Sequence, residues 1–257
     1  MADLLIFLVR HALGIIPARN QSKRFPGKIL VNLGGVPLIV RVIKSAKESR
    51  LLSDVFIATD DEKVAAVVSD YGGKAIMTDT RHQTGTDRVA EAASKLDQSD
   101  IVVNIQADEP FMTGGIIDDV ISALDDPDSY MSTACSVIRN ENDLNDPNVV
   151  KAVLDINHNA LYFSRSRIPF GRYTGDGAAP VYGHLGIYGF RREFLDKFAS
   201  LERSPLELSE GLEQLRAIEN GFKIRAVIVD GYLSGINTEE DLVKAEEMLE
   251  RRESQNG

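Results

Sequence analysis

The first hundred residues alternate short apolar runs with amphipathic helices of ten to fourteen residues, and that alternation leaves few folds open. Residues 14–17 close a β-branched strand at Pro17. Residues 37–50 place Leu38, Ile39, Val42, Ile43 and Ala46 on one helical face, with Pro37 suited to the first turn. A strand over 54–59 follows, then a helix opened by Asp60 and Asp61, running to about Tyr71 and stopped by Gly72 and Gly73. Residues 74–77 form a short strand, 86–96 a helix with Val89, Ala93 and Leu96 inward, and 101–105 the clearest buried strand of the chain. Strands separated by helices need crossover connections, so the expected fold is α/β: a doubly wound, mostly parallel, Rossmann-type sheet. Ligands of such sheets bind beyond the carboxyl ends of the strands.

Past Met131 the pattern changes. Residues 131–138, 149–154 and 160–164 read as strands with no helix between them, the last two joined by a turn-rich link over 155–159. Residues 170–179 are rich in glycine and polar groups and read as a mobile surface loop. This region is expected to be a β-rich lobe over 148–190, inside one domain spanning 12–257. A single helix over 207–220, with Leu208, Leu212, Leu215 and Ile218 on one face, precedes a strand over 223–229. Thr238 opens the last helix as a capping box. Residues 1–11 form a leader whose apolar run, Leu4 to Val9, is too short to span a membrane.

Charge narrows the partners. The net charge is −10, and an acidic surface repels a nucleic-acid backbone. A small anionic substrate remains open wherever the site is locally basic. One stretch reverses the sign: Arg19, Lys23, Arg24 and Lys28 fall within ten residues just after the first strand. Pro26 and Gly27 stiffen the loop and let its backbone approach a bound group, which suits a polyphosphate. A solvated basic turn is the plainer alternative. Neither G-x-x-x-x-G-K-S/T nor G-x-G-x-x-G is present there, which argues against an ordinary ATPase or dehydrogenase. The single cysteine, Cys135, excludes an intramolecular disulfide and suits a reducing cytoplasm.

Four further segments carry chemistry-bearing residues. Gln106-Ala107-Asp108-Glu109-Pro110 follows the best strand, where adjacent carboxylates suit a Mg²⁺ bridging phosphate oxygens, or else only open the next helix. His82 to Arg88 leads into a helix N-terminus, a place for an anion or simply for a capping threonine. Arg165 and Arg167 stand at a strand end, and arginine captures carboxylates with two hydrogen bonds. His184 and Tyr188 interrupt an apolar run, where a lone histidine is more often a satisfied core residue.

Six motifs stand in order between about Leu13 and Leu249: P-A-R-x-x-S-K-R-F-P-G-K, H-Q-T-G-T-D-R, N-I-Q-A-D-E-P, A-L-Y-F-S-R-S-x-I-P, H-L-G-I-Y-G-F and L-E-Q-L-R. Together they closely resemble the bacterial CMP-KDO synthetases, the 3-deoxy-manno-octulosonate (KDO) cytidylyltransferases. The resemblance implies a nucleotidyltransferase core, a dimerisation lobe, and transfer from CTP to an acidic eight-carbon sugar with Mg²⁺, for lipopolysaccharide synthesis. Carried over by motif, Pro17, Ala18, Arg19, Arg24 and Lys28 hold the nucleotide phosphates. Gln83, Gly85 and Gln106 lie around cytosine and the sugars, with Arg88 nearby on the sugar side. Arg165 grips the sugar carboxylate, and His184, Tyr188, Glu213 and Gln214 meet its hydroxyls. Asp108 is the principal Mg²⁺ ligand, with Asn237 second, and Arg19, Lys28 and Asp108 carry the catalysis. Ala107 stands where the family usually has glycine, and Asn237 where it usually has aspartate; an amide oxygen can coordinate but brings no charge. The 8-amino analogue of KDO, or a catalytically weakened CTP-binding regulator, are the competing readings.

Overall fold

The computed structural model of the chain describes residues 11–19, 25–96, 99–172, 175, 178–230 and 235–255. In chain order the first half holds β1 (Ala12–Ala18), β2 (Asn32–Leu33), β3 (Val36–Pro37), α1 (Leu38–Ala46), β4 (Leu52–Thr59), α2 (Glu62–Asp70), β5 (Lys74–Met77), α3 (Gly85–Ser94) and β6 (Ile101–Ile105). The second half holds α4 (Gly114–Ser122), β7 (Met131–Val137), α5 (Glu141–Asn145), β8 (Lys151–Leu154), β9 (Ala160–Ser164), β10 (Tyr182–Arg191), α6 (Arg192–Ser200), α7 (Pro205–Glu210), α8 (Leu215–Glu219), β11 (Ile224–Val229) and α9 (Glu239–Gln255). The apolar leader, Lys23 and Arg24 lie outside the described residues.

Alternation of buried side chains along the central strands makes the sheet two-sided. Ile16 and Ala18 of β1, with Ile101, Val103 and Ile105 of β6, face one apolar layer covered by α1, α2 and α4. Ile15 and Val102 face the other, covered by α3, α6 and α8. The strands run in the order β11-β7-β10-β6-β1-β4-β5. β1 pairs in parallel with β4 and β6, β4 with β5, and β7 with β11. β10 alone on this path runs antiparallel, between β6 and β7. The sheet is thus doubly wound and mostly parallel, as the alternation requires. Among the described residues, no helix is long and apolar enough to cross a membrane.

The second half departs from expectation in three places. The β8–β9 hairpin forms, but it joins the main sheet through the start of β10, and β10 itself lies in the middle of that sheet. The end of the span 148–190 therefore lies in the central sheet, while β8 and β9 stand off its main path. A short helix, α5, capped by the Asn140 side chain, separates β7 from β8. The single helix over 207–220 is two, because Gly211 ends α7 in the left-handed conformation at φ 64°. The leucine spacing misleads there. Leu208 is 57% exposed, while Glu207 is buried and held by Arg216 at 2.7 and 2.8 Å. The break leaves Glu213 and Gln214 on a turn facing the carboxyl ends of the strands, instead of on a regular helix.

Candidate active site

Two adjoining cavities open beyond the carboxyl ends of β1 and β6, with Gln106 in the wall of both. The smaller, about 240 Å³, is lined by Pro17, Arg19, Lys28, Gly85, Arg88 and Asp108 among others. Gly27, at φ 73°, turns the chain so that Lys28 points back at the end of β6. Its ammonium donates to Asp108 Oδ2 at 2.5 Å and to the carbonyl of Ile236 at 2.9 Å. Arg88 is fully buried in the first turns of α3, below the capping box of Thr84 and Asp87. Its guanidinium donates to Asp60 at 2.7 Å and to the Thr78 hydroxyl at 2.5 Å. Among the described residues, Arg88 Nε and Arg19 Nη2 are buried without a hydrogen-bond partner. Burial, then the neighbouring charge of Arg88, pulls the Arg19 pKa down. Two guanidinium groups lining one cavity, each with one buried nitrogen unpartnered among the described residues, suit an anion.

The larger cavity, about 440 Å³, has walls of a different kind. His184 sits on β10 with its ring edge-on to Phe163, centroids 5.0 Å apart. The Thr133 hydroxyl donates to the Ile187 carbonyl at 2.7 Å, so it must accept from His184 Nε2 at 2.8 Å. That assigns the tautomer and leaves Nδ1 as the acceptor nitrogen. Burial drives the imidazole pKa down to about 3, and the ring is neutral. The Tyr188 hydroxyl donates to Gln214 Oε1 at 3.0 Å, and the Gln214 amide nitrogen is buried without a partner. Glu213 accepts from the Thr86 hydroxyl at 2.5 Å, and burial raises its pKa. Glu109, also in this wall, is raised well above the usual carboxyl range by burial and by the charge of Asp108.

The structure redistributes several of the expected roles. Arg88 does not join His184, Tyr188, Glu213 and Gln214; it lines the smaller, cationic cavity and is held by Asp60. Gln83 is exposed and lines neither cavity. Ala18 is buried at the end of β1 beside Pro17. Arg24 lies outside the described residues. Arg165 is turned to backbone: it donates to the carbonyls of Glu210 at 2.8 Å, Pro147 at 2.9 Å and Gly211 at 3.4 Å. It thus ties together two loops that supply cavity wall at Asn148 and Gly211. Asn237 lines the larger cavity, its N–H donating to Asp241 and its amide to the Gly235 carbonyl at 3.3 Å. The preceding residue, Ile236, donates its N–H to the Asp108 carbonyl at 2.9 Å, which lays this segment against Asp108.

Sequence reasoning missed two groups. Lys151 is fully buried on β8, donating to the carbonyls of Asp146, Val149 and Arg165 at 2.7–2.9 Å. A lysine at the head of a strand gives no sign of burial. Thr133 orients His184 from β7, and only the strand pairing brings them together.

The cytidylyltransferase family profile matches residues 13–224. A 3-deoxy-manno-octulosonate cytidylyltransferase of Acaryochloris marina is 44% identical over 242 residues, 94% of this chain and 98% of that protein. An 8-amino-3,8-dideoxy-manno-octulosonate cytidylyltransferase of Shewanella pealeana is 44% identical over 232 residues, 89% of this chain and 94% of that protein. The solved structure of a CMP:2-keto-3-deoxy-manno-octonic acid synthetase complexed with CTP superposes with a TM-score of 0.88 at 37% identity, covering 94% of this chain and 99% of that one. A 4-diphosphocytidyl-2C-methyl-D-erythritol synthase of Anaerococcus prevotii shares the fold at a TM-score of 0.61 and 14% identity, with 94% and 97% of the two chains covered.

Proposed function

The chain belongs to the cytidylyltransferase family, and from that premise we propose that it joins CTP and KDO to give CMP-KDO and pyrophosphate. The observation that carries this reading is the contrast across Gln106. A cationic cavity with unspent guanidinium donors adjoins a larger cavity whose buried wall presents His184, Tyr188 and Gln214, and whose more open wall carries Asp146, Glu240, Asp241 and Lys244. The first suits a triphosphate, the second a polyhydroxy sugar.

In the reaction the sugar's anomeric 2-hydroxyl attacks the α-phosphorus in line. The new O–P bond forms as the α–β anhydride breaks, the hydroxyl proton passes to solvent, and pyrophosphate leaves. Little covalent help is needed from the protein, so positioning and charge neutralisation dominate. Arg19, Lys28 and Arg88 neutralise the nucleotide phosphates and the charge growing on the leaving group. Neutral His184 accepts a sugar hydroxyl hydrogen at Nδ1, the Gln214 amide donates to a sugar oxygen, and Glu213 accepts from another hydroxyl. Arg165 acts on the sugar carboxylate or on the walls that enclose it.

The donor set also fits Mg²⁺. The Asp108 carboxylate, 25% exposed beside the phosphate cavity, and the Asn237 amide oxygen are hard ligands, and this ion is usually held by one or two carboxylates plus substrate phosphates. When bound, it adds positive charge to the phosphate oxygens. The product's chemistry fits lipopolysaccharide synthesis in the cytoplasm. A homodimer is supported by apolar side chains on and after the hairpin, Leu161 at 56% and Phe170 at 86% exposed. Light scattering at micromolar concentration should give the mass of two chains; a single-chain mass removes that element.

Pyrophosphate release measured with CTP, Mg²⁺ and a panel of acid sugars tests the reading. Release should be fastest with KDO. Faster release with the 8-amino analogue would move the assignment to that substrate, and CTP binding without release on any sugar would leave a regulator.

A further inference from the structure

A line of hydrogen bonds runs behind the wall that separates the two cavities. Gln106 Nε2 donates to Asn104 Oδ1 at 3.1 Å. Asn104 Nδ2 donates to the Thr86 hydroxyl at 3.0 Å, and that hydroxyl donates to Glu213 Oε1 at 2.5 Å. Every donor points the same way, from the amide bordering both cavities to the carboxylate of the larger one. Asn104 and Thr86 are both fully buried, and neither lines either cavity. Asn104 stands two residues after Val102 on β6, so it faces the apolar layer that includes Val89 and Phe190. Nothing in the packing of that layer calls for an amide there. An apolar side chain of the same size would fill the place, and the strand around it, Ile-Val-Val-Asn-Ile, is otherwise apolar.

The direction of the line has a consequence. A hydroxyl has one proton, so while Thr86 donates to Glu213 it can only accept from Asn104. Asn104 is then fixed with its carbonyl toward Gln106, and Gln106 with its amide nitrogen toward Asn104. A ligand that takes over the Glu213 carboxylate frees the Thr86 proton and loosens each link back to Gln106. Conversely, a nucleotide that fixes the Gln106 amide favours the same order of donors as far as Glu213.

We propose that Asn104 and Thr86 are positioning residues that couple the two cavities, so that acid sugar and nucleotide each change the other's affinity through the orientation of the Gln106 amide. This rests on the KDO cytidylyltransferase reading. It adds that the two substrates bind with reciprocal coupling carried by two side chains that touch neither of them.

Calorimetric titration tests the coupling. The α,β-methylene analogue of CTP, which cannot release pyrophosphate, is titrated into the full-length protein with Mg²⁺, with and without saturating KDO. The native protein should show dissociation constants differing between about 5-fold and 150-fold, the usual span of site-to-site coupling. Thr86→Val, which keeps shape and removes the hydroxyl, should bring the two constants within about 2-fold of each other, while Thr86→Ser should retain the native ratio. Asn104→Leu, similar in size and set in an apolar layer, should behave as Thr86→Val does and stands in for it if that variant does not fold. A native ratio near one, or a native-like ratio in both Thr86→Val and Asn104→Leu, overturns the proposal. Failure of the underlying reading looks different: KDO titrated into the native protein with the nucleotide analogue bound would then give no binding heat, whereas the proposal alone fails when KDO binds and the ratio stays near one.

Discussion

The two cavities handle polar groups in opposite ways. Around the smaller one, charge is kept and matched: Lys28 lies on Asp108 at 2.5 Å and Arg88 on Asp60 at 2.7 Å. On the buried wall of the larger one, charge is suppressed, while Asp146, Glu240, Asp241 and Lys244 line its more open side. His184 is held neutral, Glu213 and Glu109 are pushed toward their protonated forms, and the Tyr188 phenol is raised well above its usual range by burial. The difference matches what each wall must meet. A triphosphate brings negative charge that needs opposite charge nearby, whereas sugar hydroxyls need donors and acceptors of defined direction in a dry setting. The two halves also come from different parts of the sheet, parallel β1 and β6 on one side and antiparallel β10 on the other.

Lys28→Ala should break the charged half most severely. Loss of one preorganised cation at a transferring phosphoryl group costs about 10²–10³ in kcat. The thermal midpoint should fall only about 2–4 °C, because Asp108 keeps access to water. Steady-state pyrophosphate release and a calorimetric scan check both. Turnover within a few-fold of native would show that the loop only decorates the surface.

Arg165→Ala sharpens the other half. Losing charged hydrogen bonds worth on the order of 1.5–3 kcal/mol should raise the KM for KDO by about 10- to 150-fold, and that for CTP far less. Lys151→Met separates two ways of causing this. If Arg165 acts by holding the cavity walls, then Lys151, whose ammonium binds the Asp146, Val149 and Arg165 carbonyls, should raise the same KM when replaced. If only Arg165→Ala has the effect, the guanidinium meets the sugar carboxylate directly.

The neutral histidine predicts a pH dependence of stability. An unfolded chain protonates this imidazole below 6.5, while the folded chain resists until about 3. The stability it contributes is therefore present above pH 6.5 and is lost as pH falls. Each pH unit below that point costs about 1.4 kcal/mol, hence about 2 kcal/mol by pH 5. Urea unfolding at pH 7 and pH 5 should show native protein losing about that much more than His184→Gln. Equal losses would mean that the imidazole is charged or solvated in the fold.

The smallest effect concerns Asn237→Asp. If this side chain meets the same Mg²⁺ as Asp108, the added charge should lower the Mg²⁺ concentration for half-maximal turnover by a few-fold. If Asn237 only shapes the turn before Thr238, where its N–H already donates to Asp241, the two titration curves should superimpose.

The same contrast explains what could be read from the sequence. A strand-and-helix rhythm forecast the parallel half, because crossover topology leaves few alternatives. The cationic loop stood out against an acidic chain by its sign. The buried wall of the larger cavity offered no such signal. His184 and Tyr188 looked like core residues in an apolar run, and they are buried, at 9% and 5% exposure. Only the ordered motifs drew them into a site. The break at Gly211 stayed hidden because leucines 212 and 215 continue a helical spacing across it, and Lys151 because burial of an ammonium under carbonyls is a purely tertiary event.

Crystals soaked with CTP and Mg²⁺ test the division of labour most directly. The account predicts difference density for the triphosphate against Arg19, Lys28 and Arg88, with the cavity bordered by His184, Tyr188 and Gln214 left to the sugar. Triphosphate density among His184, Tyr188 and Gln214 would contradict it.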